Sequence, residues 1–214
     1  LFTRGLGERE VAVVVDGVPV SDPYAGTVNI AALLAGGLGS VRMTKGPAAS
    51  IYGANALGGV IEITTPWDER PGLRYMVSAG TDSRYSGYLS GGGLVGAVRL
   101  GGGVAARGSS DFSLPGSFSA APWEDGGRRD HSARDDVFAW ARAAWDPTER
   151  TTAALSFQVT DGRRDVPSST IAERPRFWTF PVWRESRAVG SWSWRPDGVS
   201  LEARVFHSTN VNTL

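Results

Sequence analysis

The sequence predicts a mainly β protein, in which a small α+β domain precedes the antiparallel strands of an incomplete transmembrane β-barrel. Three observations support this fold class. The 214 residues include 28 glycines and 8 tryptophans, which is typical of β chains with many turns. Beyond residue 72, segments of roughly ten residues alternate apolar and polar side chains, as membrane-spanning β-strands do. The connections between these segments are alternately short and long.

The first region, residues 1–65, predicts short strands separated by turns. EVAVVV at residues 10–15 is a nearly continuous apolar run, which predicts a strand buried on both faces. Asp16-Gly17 ends this strand with a turn signal. Further strands are predicted at residues 40–44 and 60–65, where SVRMT alternates and VIEITT is rich in β-branched residues.

Two short helical turns are expected in the same region, at residues 30–34 and 48–52. Pro47 suits the first position of the second turn, and Gly53 suits the position after its end. Residues 66–72 are rich in proline and charge and predict a linker.

The second region predicts about seven strands that run up and down. They lie near residues 73–80, 84–92, 97–107, 136–145, 151–160, 182–194 and 199–208. Long loops are expected at about 108–135 and 161–181. Short turns at one end and long loops at the other are the layout of an outer-membrane barrel.

Two more features favour the barrel. The predicted strands are close to the 9–11 residues that a tilted strand needs to cross a bilayer. Trp145, Trp192 and Trp194 fall near the short-turn ends, where an aromatic girdle would lie. A soluble β-sandwich is the alternative, because its strands also alternate. Since seven strands cannot close a single-chain barrel with an even strand number, we expect a fragment at both ends.

Composition and motifs exclude several functions. Lys+Arg and Asp+Glu are both 22, so the net charge is zero, which argues against a nucleic-acid partner. There is no cysteine for a disulfide or a thiolate site. In KGPAASIYGANALGGVIEITT (residues 45–65), Gly53 and Gly58 have the spacing of a phosphate loop, but Gly59 and Val60 replace its Lys and Ser/Thr.

The catalytic and metal-binding side chains are not arranged as a site. His131 and His207 lie far apart and lack metal-ligand spacing, and no serine lies in a nucleophile elbow. His131 is expected in a solvated loop; the alternative is a ligand contact or a cation site with Asp130, Asp135 and Asp136. We therefore expect no enzyme, no metal and no cofactor.

Four motifs occur in a fixed order: RGLG at residues 4–7, VVVDGVPVSDPY at 13–24, TKGPAASIYG at 44–53 and ANALGGVIEITT at 54–65. Together they resemble the plug domain of TonB-dependent outer-membrane receptors. The residues that carry the motifs are Arg4, Gly5, Gly7, Asp16, Gly17, Pro19, Lys45, Gly46, Pro47, Tyr52, Gly53, Gly58 and Gly59. The sequence departs from the family pattern in lacking the energy-coupling box, and in having Glu62 where the family often has Asn.

The resemblance implies that residues 1–65 are the C-terminal part of a plug domain, 66–72 a linker and 73–214 the first strands of the barrel. It implies a receptor in the outer membrane of a Gram-negative bacterium, embedded in lipid. Such a receptor would take up a scarce nutrient (a ferric siderophore, haem or a cobalamin-like molecule) using a TonB-type periplasmic energy transducer. The alternative function is a soluble β-sandwich module for binding or structure.

Ligand contacts in such a receptor would come from the long loops, whose aromatic and basic residues suit an anionic or ring-bearing ligand. The candidates are Trp123, Arg128, Arg129, His131, Arg163, Arg164 and Trp178.

Overall fold

The computed structural model describes residues 11–20, 39–45, 56, 58–65 and 71–214. They form two β-sheets, one of four short strands and one of seven long strands. The prediction of a mainly β chain with antiparallel strands is confirmed. The helical turns predicted at residues 30–34 and 48–52 lie outside the described residues.

The first sheet has the order β2-β1-β4-β3. Its strands are β1 (Val11–Val15), β2 (Val18–Pro19), β3 (Ser40–Thr44) and β4 (Gly59–Thr64). β1 runs parallel to β4, and the other pairs are antiparallel. Gly59 opens β4 with a φ of 135°, a conformation that side chains other than glycine's rarely adopt.

The core of the first sheet lies on both faces of β1. Val11, Val13 and Val15 pack with Ile61 and Ile63 on one face, while Val14 packs with Ala56 and Val60 on the other. The strand that EVAVVV predicts is therefore buried on both faces, as expected of a central strand in parallel pairing. Full burial of each valine contributes about 1.5–3 kcal/mol, so this strand anchors the sheet.

The second sheet is an antiparallel meander in which each strand pairs with its neighbours in sequence. Its strands are β5 (Gly72–Ala79), β6 (Tyr85–Val95), β7 (Val98–Ser109), β8 (Arg134–Thr148), β9 (Thr151–Val166), β10 (Trp178–Trp194) and β11 (Leu201–Thr213). Short turns join β6 to β7, β8 to β9 and β10 to β11 at one end. The loops 110–133 and 167–177 and the turn 80–84 lie at the other, called here the long-loop end.

The two faces of the second sheet differ in polarity. The inner face is defined here as the one that carries Gln158, which contacts the first sheet. The opposite, outer face carries large apolar side chains that are mostly exposed, such as Leu155 at 69% and Val205 at 73%. The exposed Trp145, Trp192 and Trp194 lie on this outer face near the short turns. Such a face suits lipid and not water.

The long loops are shorter than the sequence predicts. The first spans 110–133 instead of 108–135, and the second 167–177 instead of 161–181. DGRRDV at residues 161–166 is polar and was therefore expected to be a loop, but it continues β9. Its charges pair across strands, Asp161 with Arg184 and Arg164 with Asp136, which explains why a polar segment remains in the sheet. Across the described part of the chain, no helix combines the length and apolar character needed to cross a membrane.

Candidate functional site

Asp16 lies in the turn between β1 and β2, with a φ of 50°. Its carboxylate accepts hydrogen bonds from the backbone N–H and the side-chain hydroxyl of Thr65, both at 2.9 Å. Because Thr65 follows β4, Asp16 ties the turn after β1 to the end of its neighbour.

The same carboxylate reaches the inner face of the second sheet. Gln158 of β9 donates its amide N–H to Asp16 at 2.7 Å, and the Arg142 guanidinium lies 3.8 Å away. Arg187 of β10 also interacts electrostatically with Asp16. The Arg204 guanidinium packs so closely on Gly17 that a Cβ at that glycine would lie 2.6 Å from it. The described contact between the sheets is therefore polar and centred on one carboxylate.

A second cluster lies at the long-loop end, around Asp136. This side chain is fully buried and accepts hydrogen bonds from Arg107, Arg134 and Arg164. Gly162 makes room for it, since a Cβ there would lie 2.6 Å from a carboxylate oxygen of Asp136. Three guanidinium groups thus surround one buried carboxylate.

An aromatic row lies next to this cluster. The register of β10 on β9 shifts between Phe180 and Trp183, and this bulge keeps Trp178, Phe180 and Trp183 on one face. Their rings contact edge-on, with centroids 6.4 Å and 5.4 Å apart. The Arg164 guanidinium lies over the Trp183 ring at 4.6 Å, a cation–π geometry.

The two long loops are joined through the buried side chain of Arg129. Arg129 of the first loop donates to Glu124 and also to the backbone carbonyl of Ser168 in the second. Trp123 donates its indole N–H to the Ser169 carbonyl at 3.4 Å, and His131 stacks on Phe177 with centroids 4.8 Å apart. The loops are therefore built as one unit.

The turn 80–84 joins this unit through Asp82. Its carboxylate accepts a hydrogen bond from the Ser113 hydroxyl at 2.6 Å and forms an ion pair with Arg128 at 3.4 Å. The Ser113 hydroxyl is the main reason that the pKa of Asp82 lies below its ordinary value, with Arg128 and Arg84 adding to the effect. Asp82 therefore stays ionised at neutral pH.

The structure places the predicted ligand candidates in different settings. Trp123, Arg128, Arg129 and His131 lie in the first loop, where Arg129 is buried in its ion pair and the other three make the contacts given above. The assignment of Arg163, Arg164 and Trp178 to a loop was wrong, because they lie in β9 and β10. Whether any of them contacts ligand stays a prediction.

The alternative cation site around His131 does not form. Asp136 points to the inner face among arginines, while Asp135 accepts a hydrogen bond from Tyr85 at 3.0 Å on the outer face. These carboxylates therefore do not converge. Among the described residues, no group of three or more acidic or histidine side chains is placed to hold a metal ion.

Of the motif residues, Asp16 and Gly17 lie in the turn after β1, Pro19 lies in β2 and Lys45 follows β3. Gly58 precedes β4, and Gly59 is its first residue. The remaining seven, Arg4, Gly5, Gly7, Gly46, Pro47, Tyr52 and Gly53, lie outside the described residues.

The sequence missed the partners of Asp16 and the cluster around Asp136. Gln158 is 142 residues away from Asp16 in the chain, and no local pattern connects them. For the second cluster, the sequence offered only charged residues within the predicted strands, such as Arg107 and Asp136, and no pattern that paired them.

Comparison with known proteins agrees with this architecture. Residues 1–60 match the family described as the TonB-dependent Receptor Plug Domain. The first part of the chain is therefore similar in sequence to the plug domain of TonB-dependent receptors. A vitamin B12 transporter, BtuB of Vibrio vulnificus strain YJ016, is 37% identical over 65 residues, which cover 30% of this chain and 11% of the transporter. The BtuB of Photobacterium profundum is 28% identical over 105 residues, covering 49% of this chain and 15% of that protein.

Solved receptors resemble the chain nearly throughout. The FrpB iron transporter of Neisseria meningitidis (F3-3 variant) superposes with a TM-score of 0.73 at 18% identity, over 95% of this chain and 34% of FrpB. The copper transporter OprC gives 0.72 at 16% identity, over 93% of this chain and 30% of OprC. At these identities the likeness concerns the fold. The chain spans about a third or less of the proteins that it matches.

Proposed function

We propose that this chain supplies part of the plug and part of the barrel wall of an outer-membrane receptor for energy-coupled nutrient uptake. The nutrient would be a ferric siderophore, haem or a cobalamin-like molecule, and the plug would be moved by a TonB-type periplasmic transducer. The observation that supports this most directly is the contact of Asp16 with Gln158, which seats the first sheet on the inner face of a sheet whose outer face is apolar.

The chemistry of that contact suits a plug that must move. An intramolecular hydrogen bond contributes only about 0.5–1.5 kcal/mol net, because water replaces the partner when the bond breaks. A contact built from Asp16, Gln158 and Arg142 can therefore release stepwise into a wet lumen. The buried valines of β1 would keep the first sheet folded while it moves.

The outer face argues against the soluble β-sandwich. Leu73, Tyr75, Val77, Leu155 and Val205 are all at least 67% exposed, and a soluble protein rarely exposes so much contiguous apolar surface. In an outer membrane the same side chains would contact acyl chains.

Nutrient uptake in cells tests the proposal. A strain lacking its own receptors is supplied with the intact receptor and grown with vitamin B12, haem or a ferric siderophore as the limiting nutrient. We expect growth on one of them, abolished by a protonophore or by loss of TonB. Receptor-dependent uptake that continues without the proton-motive force would indicate a passive channel, and absence of growth on every nutrient would also contradict the proposal.

A further inference from the structure

Three aromatic side chains of β10, Trp178, Phe180 and Trp183, form the aromatic row at the long-loop end of the second sheet. Phe180 pairs with Arg164 of β9, which lies an even number of residues from Gln158 and therefore on the inner face. Trp178 is 43% exposed, and Phe180 and Trp183 are half-buried. Because the inner face is turned away from the lipid proposed for the outer face, lipid does not explain exposed rings in this place.

The rings of the row are held in place but do not cover one another. Trp178 and Phe180 meet at an interplanar angle of 68°, and Phe180 and Trp183 at 83°. Edge-on contacts of this kind cover less of a ring face than stacking does. Trp183 is also held by its indole N–H, which donates to Glu185 at 2.8 Å. The row is therefore preorganised and keeps ring surface for a further group.

A buried guanidinium with an unpaired nitrogen lies beside the row. Arg164 is only 7% exposed, and its Nε and Nη2 both donate to Asp136, at 3.2 Å and 3.1 Å. Its Nη1 is buried and has no hydrogen-bond partner within the described part of the chain. An arginine side chain stays charged, and a buried charged donor without an acceptor is costly. An acceptor from outside these residues would remove that cost.

The rings and the guanidinium are close enough to contact one ligand. The centre of the Arg164 guanidinium lies 4.6 Å from the centroid of the Trp183 ring, and the Phe180 ring lies 5.4 Å from the same centroid. A group that stacks on the row therefore lies within reach of a cation.

We propose that the aromatic row and Arg164 bind an aromatic carboxylic acid. Its ring would stack on Trp178 and Phe180, and its carboxylate would accept a charge-assisted hydrogen bond from Nη1 of Arg164. Because Nη1 is shielded from water, we expect the neighbouring Trp183 ring to move as the acid enters. The site rests on the proposed uptake function, and it narrows the nutrient to a molecule that carries such an acid.

Ligand-observed NMR titration of the intact receptor in a non-ionic detergent tests the site with matched probes. Benzoate has both the aromatic ring and the charge, benzamide lacks the charge, and cyclohexanecarboxylate lacks the aromatic ring. We expect benzoate to bind. The other two probes should bind at least about tenfold more weakly, because stacking and the charge-assisted hydrogen bond each contribute to affinity.

Variants of the receptor separate the site from binding to detergent. Trp178→Ala removes an exposed ring of the row and should weaken benzoate binding about tenfold or more. Trp194→Ala is the matched control, because Trp194 is similarly exposed, at 40%, but lies on the outer face, and it should leave benzoate binding unchanged. Arg164→Lys keeps the charge but removes Nη1, and it should weaken the binding of benzoate more than that of benzamide. Heat-modifiable mobility on gels verifies that each variant is folded.

Four results would overturn the site: no binding of benzoate, binding of either other probe as tight as that of benzoate, equal effects of Trp178→Ala and Trp194→Ala, or benzoate binding unchanged in folded Arg164→Lys. If Arg164→Lys does not fold, the comparison of benzoate with benzamide decides whether the charge is recognised. Binding in detergent needs no energy source, so the site can fail while energised uptake stands. A receptor that binds benzoate but supports no uptake would retain the site and overturn the proposed function.

Discussion

The side chain of Asp16 forms hydrogen bonds with residues of both sheets. A carboxylate can accept several hydrogen bonds, and here the donors come from Thr65 on one side and Gln158 on the other. Asparagine lacks the negative charge that faces Arg142 and has one acceptor oxygen in place of two. Charge and acceptor capacity, and not shape, therefore hold the first sheet against the second.

Asp16→Asn should loosen that contact without unfolding the second sheet. Loss of the charge-assisted bonds is expected to cost about 1–3 kcal/mol. Hydrogen exchange of residues 11–20 in the intact receptor should become faster, while exchange in β8 and β9 stays unchanged. Asp197→Asn is the matched control, because Asp197 is 89% exposed in its pair with Arg150, and such surface pairs contribute little. Equal protection of residues 11–20 in wild type and Asp16→Asn would refute this role.

Gly162 is required by the space that Asp136 occupies. In Gly162→Ala the new Cβ would lie 2.6 Å from both the Asp136 carboxylate and the Asp135 carbonyl, so the arginine cluster must shift. Overpacking of this kind costs about 1–3 kcal/mol. The midpoint of heat unfolding on gels should fall for Gly162→Ala. It should not fall for Gly116→Ala, where a Cβ would meet nothing within 4 Å. Equal midpoints for the two variants would contradict the close packing.

Elements differ in how far their own residues determine them. The apolar run of β1 and the alternation of apolar and polar residues in β9 predict which faces are buried. Both strands were predicted from the sequence. The end of β9 was missed because residues 161–166 are polar, and only their partners across the sheet, such as Asp136 and Arg184, keep them paired. The bulge between Phe180 and Trp183 does have a local signal, because it contains Pro181, and a proline inside a strand often marks a bulge.

The two long loops should move as one element, since Arg129 joins them. Glu124→Gln leaves the buried Arg129 guanidinium without its counter-ion, and loss of one partner of a buried pair is strongly destabilising. Spin labels at Ser117 and Ile171, both exposed, should then show a broader distance distribution. Glu173→Gln removes a charge from an exposed position of the second loop and should leave the distribution narrow. An equally narrow distribution in Glu124→Gln would show that the ion pair within the first loop is not needed to hold Arg129 against the Ser168 carbonyl of the second.

At the scale of the whole molecule, the opposite faces of one sheet meet two environments. The inner face contacts the first sheet through Gln158 and Arg142, and the outer face presents Leu155 and Val205. The period of two along each strand determines this division. The sequence therefore predicted it well, although the contacts that fill the inner face were beyond its reach.

Neighbouring positions of β9 provide the sharpest test of the two faces. Leu155→Asp puts a charge on the outer face, where burial in lipid should cost about 2 kcal/mol near the membrane centre. Ser156→Asp puts the same charge on the inner face, directly across from Arg142 in the register, where it finds a cation. In folding of the intact receptor into lipid vesicles, followed by heat-modifiable mobility against urea, Leu155→Asp should unfold at lower urea and Ser156→Asp near the wild-type concentration. Because the two residues are adjacent, a reversed order would mean that the outer face is not the lipid face, and equal midpoints would mean that the sheet does not lie in a membrane.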